Sequence, residues 1–129
     1  MRFARHLFSP LRRRLALGAC LAALALPAAA DPTPAAQVEI DHLLTFVAAS
    51  QCTFIRNGTE HPAPEARNHL AEKLDFAKRR ISTAEDFIRY LATESSISGE
   101  PYKVRCAGKE LPAGVWLSTE LKRYRAAPH

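Results

Sequence analysis

Cys52-Thr53-Phe54-Ile55-Arg56-Asn57-Gly58 is the stretch that decides how this chain folds. Its β-branched and aromatic residues favour a strand, and Asn57-Gly58 halts it, because both residues tolerate the positive φ of a tight hairpin turn. A second segment, Tyr102-Lys103-Val104-Arg105-Cys106, alternates in the manner of a half-exposed strand. Set antiparallel with Cys52 opposite Cys106, the two segments place Phe54 against Val104 and Arg56 against Tyr102. With a side-chain period of two, all six residues share one face. The spacing therefore predicts a register as well as a pair of strands.

Cysteine usage points the same way. The chain has three cysteines, and Cys20 lies in a segment expected to be removed. Cys52 and Cys106 remain as an even pair, which in a small exported domain reads as a disulfide. Two free thiols, a thiol nucleophile or half of a metal site are the competing readings. No CxxC is present, and zinc-finger spacing of Cys and His is absent.

Helices are expected on either side. Thr33-Pro34 suits an N-cap followed by proline at the first helical position, and Ile40, Leu43, Leu44 and Val47 recur at helical spacing to about Ser50. A second helix entered at Pro64 carries Ala66, Leu70, Leu74, Ala77 and Ile81 as its stripe, with Lys78-Arg79-Arg80 at its C-terminal end. Ser82-Thr83-Ala84-Glu85 reads as a capping box, opening a third helix with Ala84, Phe87, Ile88, Leu91 and Ala92 on one side. Residues 95–101 form a Ser-rich loop, and a last helix carries Trp116, Leu117, Leu121 and Tyr124. No repeat or low-complexity linker is evident. The expectation is one α+β domain over residues 31–129: about four helices around a small antiparallel sheet of two or three short strands, with one disulfide.

Residues 1–30 read as a signal peptide: a basic n-region from Arg2 to Arg14, an apolar run from Leu15 to Leu26, and Pro27-Ala28-Ala29-Ala30 before the cut. The apolar run is too short for a membrane span, so no stable membrane insertion is expected after cleavage. Leu17-Gly18-Ala19-Cys20 also resembles a lipobox, but the apolar run continues past Cys20, which favours secretion over lipid anchoring there. Charge follows this division. The formal net charge is +5, with eighteen basic residues. Five of them (Arg2, Arg5, Arg12, Arg13 and Arg14) precede the domain, leaving thirteen to face thirteen acids from Asp31 onward. A neutral body has no net field to draw it to nucleic acid or an anionic membrane.

Several blocks resemble a known family: Phe54-Ile55-Arg56-Asn57-Gly58; Glu65-Ala66 with His69-Leu70 and Lys73-Leu74; Thr83-Ala84-Glu85-Asp86-Phe87-Ile88; and Ser95-Ser96-Ile97-Ser98-Gly99-Glu100-Pro101-Tyr102. Together, over roughly 38–124, they are similar to the YfeK-like family of small periplasmic proteins of Gram-negative bacteria, a domain of unknown function. The resemblance implies export, a periplasmic location and a compact domain, and brings no catalytic residue, ligand or partner with it.

Candidate chemistry is sparse. Glu65, His69 and Lys73 stand four apart on one helical flank. With Ser96 as nucleophile, His69 as base and Glu65 as orienter they would make a small serine hydrolase. Against this, no GxSxG elbow or SxxK motif surrounds the serines, and a half-buried His69 bonded to the 95–101 loop is the plainer reading. Arg56-Asn57-Gly58 offers a guanidinium and turn amides to a carboxylate or sugar, or else forms a hairpin tip with Arg56 stacked on Tyr102. His42, His61, His69 and His129 lack HxH or HExxH spacing, so neither a metal nor a cofactor is expected. The preferred expectation is a non-enzymatic periplasmic module that binds an envelope component or another periplasmic protein. Its binding residues would be Arg56, Asn57, Glu65, His69, Ser95, Ser98 and Tyr102, gathered where the 56–61 turn meets the 95–102 loop.

Overall fold

The computed structural model describes residues 31–129; the predicted signal peptide, with Cys20 and its lipobox, lies outside them. Helix α1 spans Pro34–Ala49 and is capped by Thr33, whose hydroxyl accepts from the Ala36 amide at 3.1 Å. A hairpin follows, β1 (Thr53–Arg56) and β2 (Thr59–Pro62), and leads directly into α2 (Ala63–Ala77). Helix α3 (Ala84–Phe87) continues into a wider π turn over Ile88–Ala92. A second hairpin, β3 (Lys103–Cys106) and β4 (Lys109–Pro112), leads into α4 (Ala113–Ala126).

The four strands make one antiparallel sheet in the order β2-β1-β3-β4. The central register pairs Thr53 with Arg105, Phe54 with Val104 and Ile55 with Lys103, as the cysteine argument predicts. Cys52 and Cys106 are joined, with their α-carbons 4.7 Å apart. Phe54 and Val104 face the helices and are buried. On the opposite face, Arg105 bonds Glu60 at 2.7 Å and Glu110 at 3.4 Å, an exposed ladder between strands. The core between sheet and helices is built from Ile40, Leu43, Val47, Ile81, Phe87 and Leu117, all fully buried or nearly so. Arg125 of α4 clasps Glu39 of α1 and Glu85 of α3 across the surface.

Three expectations need correction. The sheet has four strands, not two or three: Thr59–Pro62 and Lys109–Pro112 are polar, largely exposed edge strands that end in proline, so they carry no apolar alternation to read. The capping box is one residue later than Ser82-Glu85. Thr83 is the N-cap and Asp86 returns its carboxylate to the Thr83 amide, because Thr83 takes the extended backbone a cap requires. Ile81 is buried but lies beyond α2. The α-helix ends at Ala77, a 3-10 turn over Lys78–Arg80 tightens the chain, and Ile81 enters the core in extended conformation.

The structure also exposes a repeat that the sequence hides. The second hairpin-helix unit follows the first at an offset of fifty residues: Gly58 and Gly108, Glu60 and Glu110, Pro62 and Pro112, Ala63 and Ala113 coincide. Both turns are two-residue loops with positive φ throughout, Asn57-Gly58 and Ala107-Gly108. An exchange of the two units maps Thr53–Arg105 onto Lys103–Ile55 and returns Phe54–Val104 to itself, so a local two-fold axis passes through that pair. The disulfide at one end of the central strands is thereby matched at the other end by Tyr102 and Arg56. One position holds a covalent bond, and its counterpart holds the Tyr102 and Arg56 side chains.

Candidate functional site

Strand β1 ends at Arg56, the turn beyond it presents Asn57, and α2 runs back past them with Glu65, His69 and Lys73 on successive turns. The loop 93–102 covers the same end of the sheet. It is longer than the three-residue link from α1 to β1, and it is internally tied: Ser95 N–H donates to the Glu100 carbonyl at 2.9 Å, and Ser95 Oγ accepts from the Ile97 and Ser98 amides. Ser98 Oγ reaches across to Asn57 Oδ1 at 2.5 Å, fastening the loop to the hairpin turn. Local hydrogen bonding by short polar side chains explains why a serine-rich stretch is ordered here.

Tyr102 is the centre of this arrangement. Its backbone is fixed by bonds to the Thr93 carbonyl and the Ala113 amide, each 2.9 Å. Its ring is buried, and its hydroxyl accepts from Lys73 Nζ at 3.3 Å and lies 3.5 Å from His69 Nε2. Lys73 also donates to the Leu91 carbonyl at 2.7 Å, closing the end of the π turn, and stands 5.0 Å from the Tyr102 ring centroid. The cation over that ring is therefore Lys73, where Arg56 had been expected to stack.

The electrostatics follow from burial and from Arg56. Burial lowers the His69 pKa, with the Arg56 and Lys73 charges adding to the effect, so the imidazole is neutral at pH 7. Burial likewise lowers the Lys73 pKa, again with Arg56 contributing. Burial raises the Tyr102 pKa while Arg56 and a bond from Ser95 oppose the rise. One guanidinium is felt by all three neighbours, yet among the described residues Arg56 makes no ion pair.

Two hollows meet at these residues. A broad open basin is lined by Arg56, His69, Lys73, Ser96 and Tyr102, and rimmed by Phe76 and Ile97, which are 98% and 99% exposed. A narrow apolar cleft runs from Arg56, His69 and Tyr102 inward past His61, Ala66 and Leu117. Of the predicted residues, Arg56, Asn57, His69, Ser95 and Tyr102 line the basin, Ser98 holds Asn57 at its edge, and Glu65 lines the cleft. Glu65 bonds His61 Nδ1 at 2.6 Å and not His69. Ser96 is exposed, and no hydrogen bond joins it to His69 among the described residues. Lys73, His61 and Phe76 escaped the sequence reading as site residues. Phe76 did leave a signal, being an aromatic residue off the Leu70-Leu74 stripe of an amphipathic helix. Among the described residues, no group of three or more His, Cys, Asp or Glu side chains is placed to hold a metal ion, and no helix is long and apolar enough to cross a membrane.

Comparison with known proteins adds a family without an activity. Residues 34–125 match a family described as a family of unknown function, DUF5329. Over 80 residues the chain is 42% identical to the uncharacterized protein YfeK of Salmonella typhimurium strain LT2, a span covering 61% of this chain and 67% of that protein. No solved structure matches.

Proposed function

Because this chain belongs to the DUF5329 family of unknown function, we propose from its geometry that it is an exported, non-enzymatic binding module of the periplasm. In this reading it holds a carboxylate of an envelope component or periplasmic partner against Arg56. The observation that carries the proposal is a guanidinium without an ion pair among the described residues, at the mouth of an apolar cleft, beside a half-buried lysine and an open basin with two bare apolar side chains on its rim. A guanidinium is the side chain best suited to a planar carboxylate, and exposed Phe76 and Ile97 suit the apolar part of the same partner. Hydrolysis at Ser96 would need its hydroxyl within hydrogen-bond reach of His69, whereas His69 faces Tyr102. Export is supported by the disulfide, which persists in oxidising compartments, and by the basic and apolar pattern of residues 1–30.

The test is crosslinking of the tagged protein in intact cells, comparing the wild type with Arg56→Gln at matched melting temperature. A periplasmic component crosslinked by the wild type and lost with Arg56→Gln is the expected result. Equal capture by both proteins, or recovery of the wild type from the cytoplasm with both thiols free, overturns the reading.

A further inference from the structure

One wall of the cleft beside Arg56 is His61, whose ring carries a polar atom without a partner among the described residues. His61 Nδ1 stands 2.6 Å from Glu65 Oε1. A carboxylate only accepts, so in the neutral ring the proton is on Nδ1 and Nε2 is left as an acceptor. That Nε2 is buried and makes no hydrogen bond among the described residues, the costly state for a polar atom. The walls around His61 are apolar: Phe54, Ala66, Leu70 and Leu117. Space for water-sized groups amounts to about 50 Å³, room for a chain of about four heavy atoms.

The other half of the molecule shows that this opening is a matter of residue choice. Trp116 follows Gly108 at the same distance that Ala66 follows Gly58. It fills its side of the fold, packed on Phe46 at 4.5 Å and Phe54 at 5.6 Å between ring centroids. Where one unit has an indole, the other has a methyl group and a cleft. His61 pairs directly with Phe54, and Arg56 lies two residues farther along the same sheet face. The two are therefore diagonal neighbours with α-carbons about 7–8 Å apart.

We infer that the cleft receives the short apolar chain of a small carboxylic acid whose far end carries a hydroxyl or N–H, and that the His61 ring turns to present Nε2 to that donor. The carboxylate rests on Arg56; for that contact alone the inference depends on the function proposed above. Ala66 sets the admitted chain length, and His61 selects for the donor.

Three probes separate the two contacts by NMR titration of the full protein: 4-hydroxybutyrate, butyrate and 1-butanol. The expected result is that 4-hydroxybutyrate shifts the His61 ring signals and binds about tenfold tighter than butyrate, the factor worth one net hydrogen bond. 1-Butanol should shift His61 without shifting Arg56. Ala66→Trp should abolish all binding in the cleft, and His61→Phe, which leaves the backbone undisturbed, should erase the preference for the hydroxylated acid. Equal affinity for the two acids with His61 unmoved overturns this inference and leaves the Arg56 reading standing. A His61 response to 1-butanol with Arg56 unmoved by either acid upholds the cleft and sinks the Arg56 reading. No response to any probe at tens of millimolar overturns the inference outright.

Discussion

Replacing both bridge cysteines, Cys52→Ala with Cys106→Ala, should cost this domain about as much stability as truncating a large core side chain. The two residues are 54 apart in sequence, so breaking the bond frees a long loop in the unfolded chain. The chain-entropy relation values that freedom at about 4 kcal/mol at 25 °C. For a domain of this size each kcal/mol moves the melting temperature by about 4–8 °C, so the double variant should melt about 15–30 °C lower. Urea unfolding followed by circular dichroism measures the loss, with the native spectrum required to be unchanged in the absence of urea. The sheet register does not depend on the bond, because Phe54 and Val104 pair beside it and stay buried. A loss below about 1 kcal/mol would refute the argument, since it would mean that the unfolded ensemble gains little freedom when the loop opens.

Two other outcomes follow from the packing and the site. Phe87 is fully buried where α3 meets the core, and Phe87→Ala should cost about 3–5 kcal/mol in urea melts, a loss under about 1.5 kcal/mol showing that the core collapses around the gap. His69 has its pKa lowered first by burial and then by Arg56 and Lys73. Below about pH 6.5 the unfolded chain binds a proton there that the folded chain resists, so this contribution is present above that pH and lost as pH falls. His69→Gln should flatten the pH dependence of the melting temperature below about pH 6.5; an unchanged slope would refute the reasoning.

The local two-fold axis gives the site a physical rationale. Related positions in the two units have diverged in opposite directions: one end of the central strands is closed by sulfur and Trp116, while the other keeps Arg56, Tyr102 and the cleft beside Ala66. The bond adds stability at one end of the central strands, while the other end holds polar groups. Lys73 supports this arrangement, tying the π turn at Leu91 to Tyr102 by its ammonium group. π turns recur at functional sites because the extra residue in the turn redirects its carbonyls.

The amino-acid sequence by itself determined the central strand pair, its register, the disulfide and the helical stripes. Each rests on local periodicity or on two half-cystines that must meet, and these signals survive without knowledge of distant contacts. It also marked Arg56, Asn57, His69, Ser95, Ser98 and Tyr102 as neighbours, because the register brings residue 56 beside residue 102. Tertiary structure alone decided the edge strands, whose polar residues have no inward face to betray them, and the fifty-residue repeat, which survives in few identities. It alone decided that Glu65 turns to His61, that Lys73 stands over Tyr102, and that Ala66 leaves a cleft where Trp116 leaves none. Side-chain pairing of that kind depends on which side chains the packed elements bring within hydrogen-bond reach of one another. Sequence spacing along one helix records the flank but not the partner.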